Sequence, residues 1–240
     1  MRDASNGVEP IPYPIRINRY LALVGVASRR QADLLILDGL ISINGKKANV
    51  GDIVKNGDTV KIADGASQDY TYLIYNKPRG LVTHSAQKSE KEVSVLYKGK
   101  RLPPIGRLDK DSEGLLILSD DGRITDRLLN PRFDHEKEYV VDVDKPLQSN
   151  FKNKMEKGVQ IERYLTKKCK VKVMGGTRFS IVITEGKKHQ IRRMCAAMGY
   201  QIKNLRRVRI GSLKIGALKP NTHRELTTTE KNNLLKEIGL

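Results

Sequence analysis

The segment from residue 105 to 122 constrains the fold most, because turn and polar residues enclose one short apolar run in it. Residues 115–118 are continuously apolar, and Gly106 introduces a turn before them. A short apolar run that is bounded by turn residues predicts a buried strand. Asp109 then lies on a loop held by that strand, which is a common place for functional side chains. On the residues alone, Asp109 can also be a turn cap or the ion-pair partner of Arg107.

The charge of the chain narrows the class of its partner. The 240 residues include 45 Lys or Arg and 27 Asp or Glu, which gives a formal net charge of +18. A charge of this size favours a polyanionic partner, nucleic acid first and an anionic membrane surface second. The sequence has neither an apolar run of membrane-spanning length nor a signal-peptide core. We therefore expect a cytoplasmic protein that is not embedded in a membrane.

The cysteines and histidines lack the spacing of metal ligands. Cys169 and Cys195 form no Cys-x-x-Cys motif, and the histidines are scattered along the chain. The sequence also contains no Walker loop and no dinucleotide-binding glycine pattern. We expect neither a structural disulfide nor a metal ion.

The first quarter of the chain predicts a small folded unit between two irregular segments. Alternate prolines in residues 1–14 predict a mobile tail, since they cannot build a helix. Residues 15–63 contain two helical segments, of which the second begins after a cap at Ser28, and a hairpin turn at residues 44–45. Residues 64–70 have the composition of a linker.

Two motifs in this unit carry a family resemblance. Residues 16–21 read Arg-Ile-Asn-Arg-Tyr-Leu, and residues 25–32 read Gly-Val-Ala-Ser-Arg-Arg-Gln-Ala. The pattern resembles the alpha-L RNA-binding domain, named after the small-subunit ribosomal protein S-four, and the resemblance covers residues 15–63. It implies RNA contacts through Arg29 and Arg30, because clustered cations attract phosphates. The alternative is a small basic domain whose arginines are simply solvated.

The rest of the chain predicts a second domain with a strongly basic C-terminal part. Residues 83–101 are polar and lysine-rich, which predicts a flexible loop with one short helix. Residues 191–198 carry apolar side chains at the spacing of one helix face. Arg193 points away from that face, and Arg192 lies at its flank. Residues 186–224 contain eleven Lys or Arg and no Asp or Glu, which indicates a nucleic-acid contact.

Three motifs in this domain resemble those of the RNA pseudouridine synthases. They are Gly-Arg-Leu-Asp at residues 106–109 with Ser-x-Gly-Leu at 112–115, Asn-Lys-Pro-Arg-Gly at 76–80, and His-Gln-Ile-Arg at 189–192. The resemblance is to the two-domain type that acts on ribosomal RNA, and within it to the large-subunit synthase F subgroup. The segments that carry the subgroup resemblance are residues 134–139, 167–171 and 204–210.

The resemblance implies an α+β fold. A small N-terminal RNA-binding domain would precede a catalytic domain at residues 71–240, built on a mixed, mainly antiparallel sheet with flanking helices. The family needs no cofactor, because its reaction transfers no electrons and no group to a second molecule. We expect a monomer that binds ribosomal RNA and no metal.

The resemblance also implies residue roles. Asp109 would be the catalytic carboxylate, Tyr139 would stack on the target base, and Arg192 would pair with Asp109. On the residues alone, Tyr139 suits core packing on a strand and Arg192 suits a solvated helix surface. The further residues that would bind the substrate are Arg107, Leu205, Arg193 and Lys77.

The implied function is the isomerisation of a specific uridine in large-subunit ribosomal RNA to pseudouridine. Such an enzyme must take the nucleotide out of its stack, hold a carboxylate at the sugar or base, and confine the freed uracil while it turns. Two alternatives remain open from the sequence. One is a non-catalytic RNA-binding or ribosome-assembly factor, and the other is the same reaction on small-subunit ribosomal RNA or tRNA.

Overall fold

The computed structural model of the protein describes residues 11–63 and 69–240. Residues 1–10 of the predicted tail and 64–68 of the predicted linker lie outside this description. The chain folds into two compact units. The first extends to Tyr70 and includes Asp121–Arg123, and the second comprises Thr71–Asp120 and Ile124–Leu240. Within the described ranges, no helix has the length and apolar character needed to cross a bilayer.

The first unit pairs two helices with short antiparallel strands. Its described elements are β1 (Ile15–Arg16), α1 (Ile17–Leu23), α2 (Arg29–Leu37), β2 (Ile41–Ile43), β3 (Lys46–Lys47), β4 (Ile53–Val54) and β5 (Val60–Ile62). The Ser28 hydroxyl accepts from the Gln31 backbone N–H, and the Gln31 side chain accepts from the Ser28 N–H, which confirms the predicted helix start. Asn44 and Gly45 have φ of 50° and 79°, so the predicted hairpin turn between β2 and β3 is confirmed.

The second unit is built on one large sheet. Its described elements are β6 (Tyr72–Lys77), β7 (Leu96–Tyr97), β8 (Lys100–Arg101), β9 (Pro104–Ile105), β10 (Glu113–Ser119), α3 (Arg123–Leu129), β11 (Lys137–Val143), α4 (Phe151–Glu156), β12 (Gln160–Ile161), β13 (Tyr164–Leu165), β14 (Lys170–Gly175), β15 (Arg178–Ile183), α5 (Gln190–Ala197), β16 (Ile202–Ile210), β17 (Leu213–Lys214), β18 (His223–Glu225) and α6 (Thr228–Glu237). The sheet order is β14-β15-β11-β16-β10-β6-β18, with β17 beside β16 and β9 beside β10.

The sheet is mixed and mainly antiparallel, as predicted. Its one parallel pair within the described residues is β10 with β16. Residues 115–118 lie in β10 and are buried, which confirms the predicted strand. The parallel pairing matters for the site, because it brings the start of β10 and the middle of β16 together at the loop that carries Asp109.

Two helices cover one face of the sheet beside this pair. The inward side chains of β11 pack with Phe151 and Met155 of α4 and with Ile191 and Met194 of α5 in one buried cluster. The predicted apolar face of the helix at residues 191–198 is therefore confirmed. The basic side of α5 is left to face the adjacent loops.

Residues 83–101 differ from the prediction of a flexible loop with a short helix. They contain the paired strands β7 and β8, and Val93 and Val95 are buried against Leu73 and Leu116 of the sheet. Apolar residues two positions apart suit an extended backbone with one buried side. Because most residues of this segment are polar, the alternation of Val93 and Val95 is not evident from its composition.

Candidate active site

Asp109 lies on the loop at residues 107–112, which ends where β10 begins. Gly114 makes this arrangement possible, because it pairs with Arg207 at the start of the parallel contact between β10 and β16. Its φ is +108°, and a Cβ atom there would lie 2.2 Å from the Arg207 carbonyl oxygen. A side chain at this position would separate the two strands.

The inner side of the loop is fixed by two buried polar side chains. The Thr83 hydroxyl donates to the Leu108 carbonyl oxygen at 2.6 Å and accepts from the Leu108 N–H at 3.1 Å. The Lys77 ammonium donates to the Ser112 carbonyl oxygen at 2.8 Å and lies 3.5 Å from that of Lys110. Both side chains sit in the protein interior, with Lys77 at 0% exposure.

Two arginines bind further carbonyl groups in and beside the loop. Arg207 donates to the carbonyl oxygens of Arg107 at 3.3 Å and Leu115 at 2.8 Å, and so joins the two ends of the segment. Arg192 donates to the Asp111 carbonyl oxygen at 2.9 Å and to the Ser112 hydroxyl at 3.3 Å. With its carbonyl groups bound in this way, the loop holds Asp109 in a defined position, as a reacting group requires.

Positive charge is concentrated under the loop. Burial lowers the pKa of Lys77 to about 8, and the nearby Asp109 and Asp111 carboxylates partly counter that effect. Burial and the charge of Arg207 also lower the pKa of Lys137. The carboxylate of Asp109 therefore lies near a lysine that is shielded from solvent.

The side chain of Asp109 contacts a histidine and not the expected arginine. Its Oδ1 atom lies 3.5 Å from the Nε2 atom of His189, and the two side chains are 39% and 48% exposed. Among the described residues, no ion pair joins Asp109 to Arg192. The predicted pair is absent because the Arg192 guanidinium is engaged by Asp111 and Ser112 further along the same loop.

Tyr139 and Leu205 lie on neighbouring strands close to this loop. Tyr139 of β11 is opposite Arg207 of β16, and Leu205 is opposite Val141. Tyr139 and Leu205 belong to one buried cluster that also contains Leu108, the residue before Asp109. Tyr139 is only 9% exposed, so it packs in this core cluster.

The other predicted substrate contacts have different surroundings. Arg107 is exposed at the start of the loop. Arg193 makes a 2.8 Å ion pair with Glu162, so its charge is already partly engaged. Lys77 is enclosed, and its ammonium is directed at backbone carbonyls. This contradicts the predicted substrate contact for Lys77, because a fully buried amine that binds the loop has no access to RNA.

The first unit contains an open cleft with a basic lining. Its volume is about 380 Å³, and Arg16, Arg19 and Arg29 contribute to its walls. Arg30 follows Arg29 on α2 and is exposed, but it does not line the cleft. Of the two predicted RNA contacts in this unit, Arg29 therefore lines the cleft together with Arg16 and Arg19, and Arg30 lies outside it.

The sequence patterns assign no role to Thr83, His189 or Arg207. His189 stands inside the His-Gln-Ile-Arg motif, so the motif itself was a usable signal. Arg207 was one of several arginines in a basic segment, and its burial depends on the distant strand β10. Thr83 has no local signal, because its partner Leu108 is remote in the sequence.

Two protein-family models match the chain. Residues 71–197 match the model of the RNA pseudouridylate synthase family, and residues 15–60 match that of the S4 domain. A crystal structure of a pseudouridylate synthase superimposes with a TM-score of 0.68 and 27% identity, covering 92% of this chain and 99% of that one. The predicted α+β fold with an N-terminal RNA-binding domain is confirmed.

Relatives of similar length carry names from the same family. A dual-specificity RNA pseudouridine synthase, RluF, of Escherichia coli K12 is 41% identical over 93% of this chain and 79% of its own length. Ribosomal large subunit pseudouridine synthase B of Bacillus subtilis is 32% identical over 91% of this chain and 95% of its own length. The synthase model matches more than half of the residues, and these relatives align with nearly the whole chain. The chain therefore belongs to the RNA pseudouridylate synthase family.

Proposed function

We propose that the protein isomerises a specific uridine in large-subunit ribosomal RNA to pseudouridine, with Asp109 as the catalytic carboxylate. The observation that carries this proposal is the Asp109 loop, whose carbonyl groups are bound by Thr83, Lys77, Arg207 and Arg192. A half-exposed carboxylate on so firmly held a loop suits attack on a nucleotide. The choice of large-subunit RNA follows the name of the Bacillus subtilis relative.

In the proposed reaction, the bond between N1 of uracil and C1′ of the ribose breaks. The uracil turns, a new bond forms between C5 and C1′, and the proton on C5 is lost to the surroundings while N1 gains one. Atoms balance without a cofactor. Asp109 starts the cleavage as nucleophile or base after the nucleotide leaves its stack.

The neighbouring residues would confine the freed base. Tyr139 would stack on the uracil from β11, and Leu205 would form an apolar wall beside it, since the two belong to the cluster that reaches Leu108. Arg192 acts on the loop backbone in this proposal and so positions Asp109. Lys77 would likewise support the Asp109 loop from below, in place of the substrate contact that the sequence predicts.

RNA binding would involve both units. We assign residues 15–63 to RNA binding and 71–240 to catalysis, with 1–14 as a tail and 64–70 as a linker. Arg29 and Arg30 would contact phosphates, as would the exposed Arg107 and, after release from Glu162, Arg193. Such contacts position a protein on RNA and carry little sequence information. We further propose a cytoplasmic monomer.

Release of tritium from RNA labelled at uracil C5 tests the reaction. We expect release with the wild-type protein, because C5 loses its hydrogen when the new bond forms. Binding of ribosomal RNA without any release would instead support the ribosome-assembly alternative.

Carbodiimide mapping of RNA from cells with and without the gene tests the target. A reverse-transcription stop in large-subunit RNA that disappears without the gene would identify the uridine. The Escherichia coli relative is named as a dual-specificity enzyme, so small-subunit RNA and tRNA are mapped in the same experiment. A stop lost only from these RNAs would contradict the large-subunit assignment.

A further inference from the structure

We infer that His189 is a positioning residue that holds the carboxylate of Asp109 by one oxygen and leaves the other for the target nucleotide. This inference rests on the proposed catalytic role of Asp109. The contact joins His189 Nε2 to Asp109 Oδ1 at 3.5 Å. Within the described residues, this side-chain contact of Asp109 is made through Oδ1 alone, so Oδ2 is the atom left to the substrate.

The backbone at His189 is held in a conformation that needs support. Its φ is +52°, in the left-handed region that few residues other than glycine adopt. The turn before α5 supplies the support: Gln190 N–H donates to the Lys187 carbonyl oxygen at 3.1 Å, and the Gln190 side chain accepts from Lys187 N–H at 3.1 Å. Strained backbone of this kind is concentrated at functional sites.

A buried carboxylate anchors that turn to the sheet. Glu185 is only 3% exposed, and it accepts hydrogen bonds from the Gln190 side chain at 2.5 Å and from Lys167 N–H at 2.9 Å. The Tyr164 hydroxyl also donates to Glu185. The imidazole of His189 therefore projects from a turn that is fixed on its inner side.

Two side chains at the start of α5 contact the loop: His189, which immediately precedes the helix, and Arg192, which lies in it. Arg192 binds the backbone at Asp111 and the hydroxyl of Ser112, while His189 contacts the carboxylate of Asp109. Both side chains therefore reach one loop. Because the Arg192 guanidinium is already engaged, the carboxylate is steadied by His189.

The test compares kcat and KM for tritium release in the wild type and two variants at His189. His189→Asn removes the imidazole but keeps a residue that tolerates positive φ. His189→Arg supplies an N–H donor that can reach Asp109 in place of the imidazole. We expect His189→Asn to lower kcat at least about tenfold with little change in KM, since small misplacements of reacting groups cost up to about a hundredfold. His189→Arg should recover most of that loss.

A matched control removes a histidine–carboxylate pair elsewhere. His135 Nδ1 lies 3.7 Å from Glu237 Oε1, and His135→Asn should leave kcat and KM unchanged. Thermal melting of each variant separates a folding defect from a catalytic one. A wild-type kcat in His189→Asn overturns the inference, as does a raised KM with unchanged kcat, which would make His189 an RNA contact. An inactive wild type would overturn the proposed function itself.

Discussion

The ammonium group of Lys77 donates a 2.8 Å hydrogen bond to the carbonyl oxygen of Ser112, and the two residues are 0% and 1% exposed. A cation inside the protein thus binds the backbone of the loop that carries Asp109. Burial of a charge is unfavourable, which is why the pKa of Lys77 falls from 10.5 to about 8. Lys77 therefore anchors the loop, but burying its charge lowers the free energy of unfolding by an amount that depends on pH.

The Lys77→Met variant should show that cost. Between pH 8 and 10.5 the unfolded chain binds more protons at Lys77 than the folded protein does, because the folded-state pKa is the lower one. The unfolding free energy of the wild type should therefore rise with pH across this window, by on the order of 3 kcal/mol from this residue. The variant lacks this contribution. Urea unfolding of both proteins from pH 7.5 to 10.5 measures it, and parallel curves would contradict the shift.

Thr83→Val should weaken both the fold and the reaction. The change keeps the shape of the side chain but leaves the N–H and C=O of Leu108 without their 3.1 and 2.6 Å partners. Two unpaired buried groups cost about 3 kcal/mol, and kcat should fall because Leu108 adjoins Asp109. Thr222→Val is the control, since its hydroxyl makes one exposed bond to the Lys219 carbonyl oxygen. Equal unfolding free energies for the two variants would refute the role of Thr83.

Gly114→Ala should separate the parallel strands β10 and β16. The new Cβ would lie 2.2 Å from the Arg207 carbonyl oxygen and 2.8 Å from its nitrogen, and neither backbone atom can move freely. We expect a loss above about 3 kcal/mol in the unfolding free energy. Gly99→Ala is the matched control, because its φ is +76° and nothing lies within 4 Å of its Cβ position. It should cost about 1 kcal/mol for backbone strain alone, and a similar loss in both variants would disprove the close approach.

The arginine cleft of the first unit should contribute salt-dependent RNA affinity. Replacing Arg16, Arg19 and Arg29 by Gln should reduce the slope of log K against log salt by about 2, since each lost phosphate contact removes roughly 0.7. Fluorescence anisotropy from 50 to about 300 mM salt measures that slope. The control replaces Lys152, Lys154 and Lys157 around α4 by Gln, which changes the net charge equally. Identical slopes for the two variants would rule out a specific role for the cleft.

Locally encoded features were predictable from the sequence. The cap at Ser28, the turn at residues 44–45, the buried run at 115–118 and the apolar face of α5 all follow from neighbouring residues. The cap bonds join residues three apart, and the turn and the apolar patterns are recognised from residue types and spacing within one short segment, so the local sequence carries the signal. Asp109 and Tyr139 are predicted from motifs. In the structure Asp109 follows Leu108 on a loop, and Tyr139 lies on a strand and belongs to the same buried cluster as Leu108.

Contacts between distant segments were not predictable. Arg207 is 4% exposed because β10 pairs with β16, and a basic stretch gives no hint of that burial. Lys77 was interpreted as a substrate contact, although strand β6 places its amine under the loop. The motif predicts a pair of Arg192 with Asp109, but the Arg192 guanidinium donates instead to the Asp111 carbonyl oxygen and the Ser112 hydroxyl. The surroundings of these three side chains are set by segments that are distant in the sequence and that only the tertiary fold brings together.

The central claim is that the Asp109 carboxylate starts cleavage of the glycosidic bond. Single-turnover tritium release by Asp109→Asn, with RNA affinity measured in parallel, tests it most directly. The substitution keeps the size of the side chain, so binding should stay within about twofold while release falls by at least about a thousandfold. Full release by Asp109→Asn would contradict the account, because another group would then have to perform the chemistry.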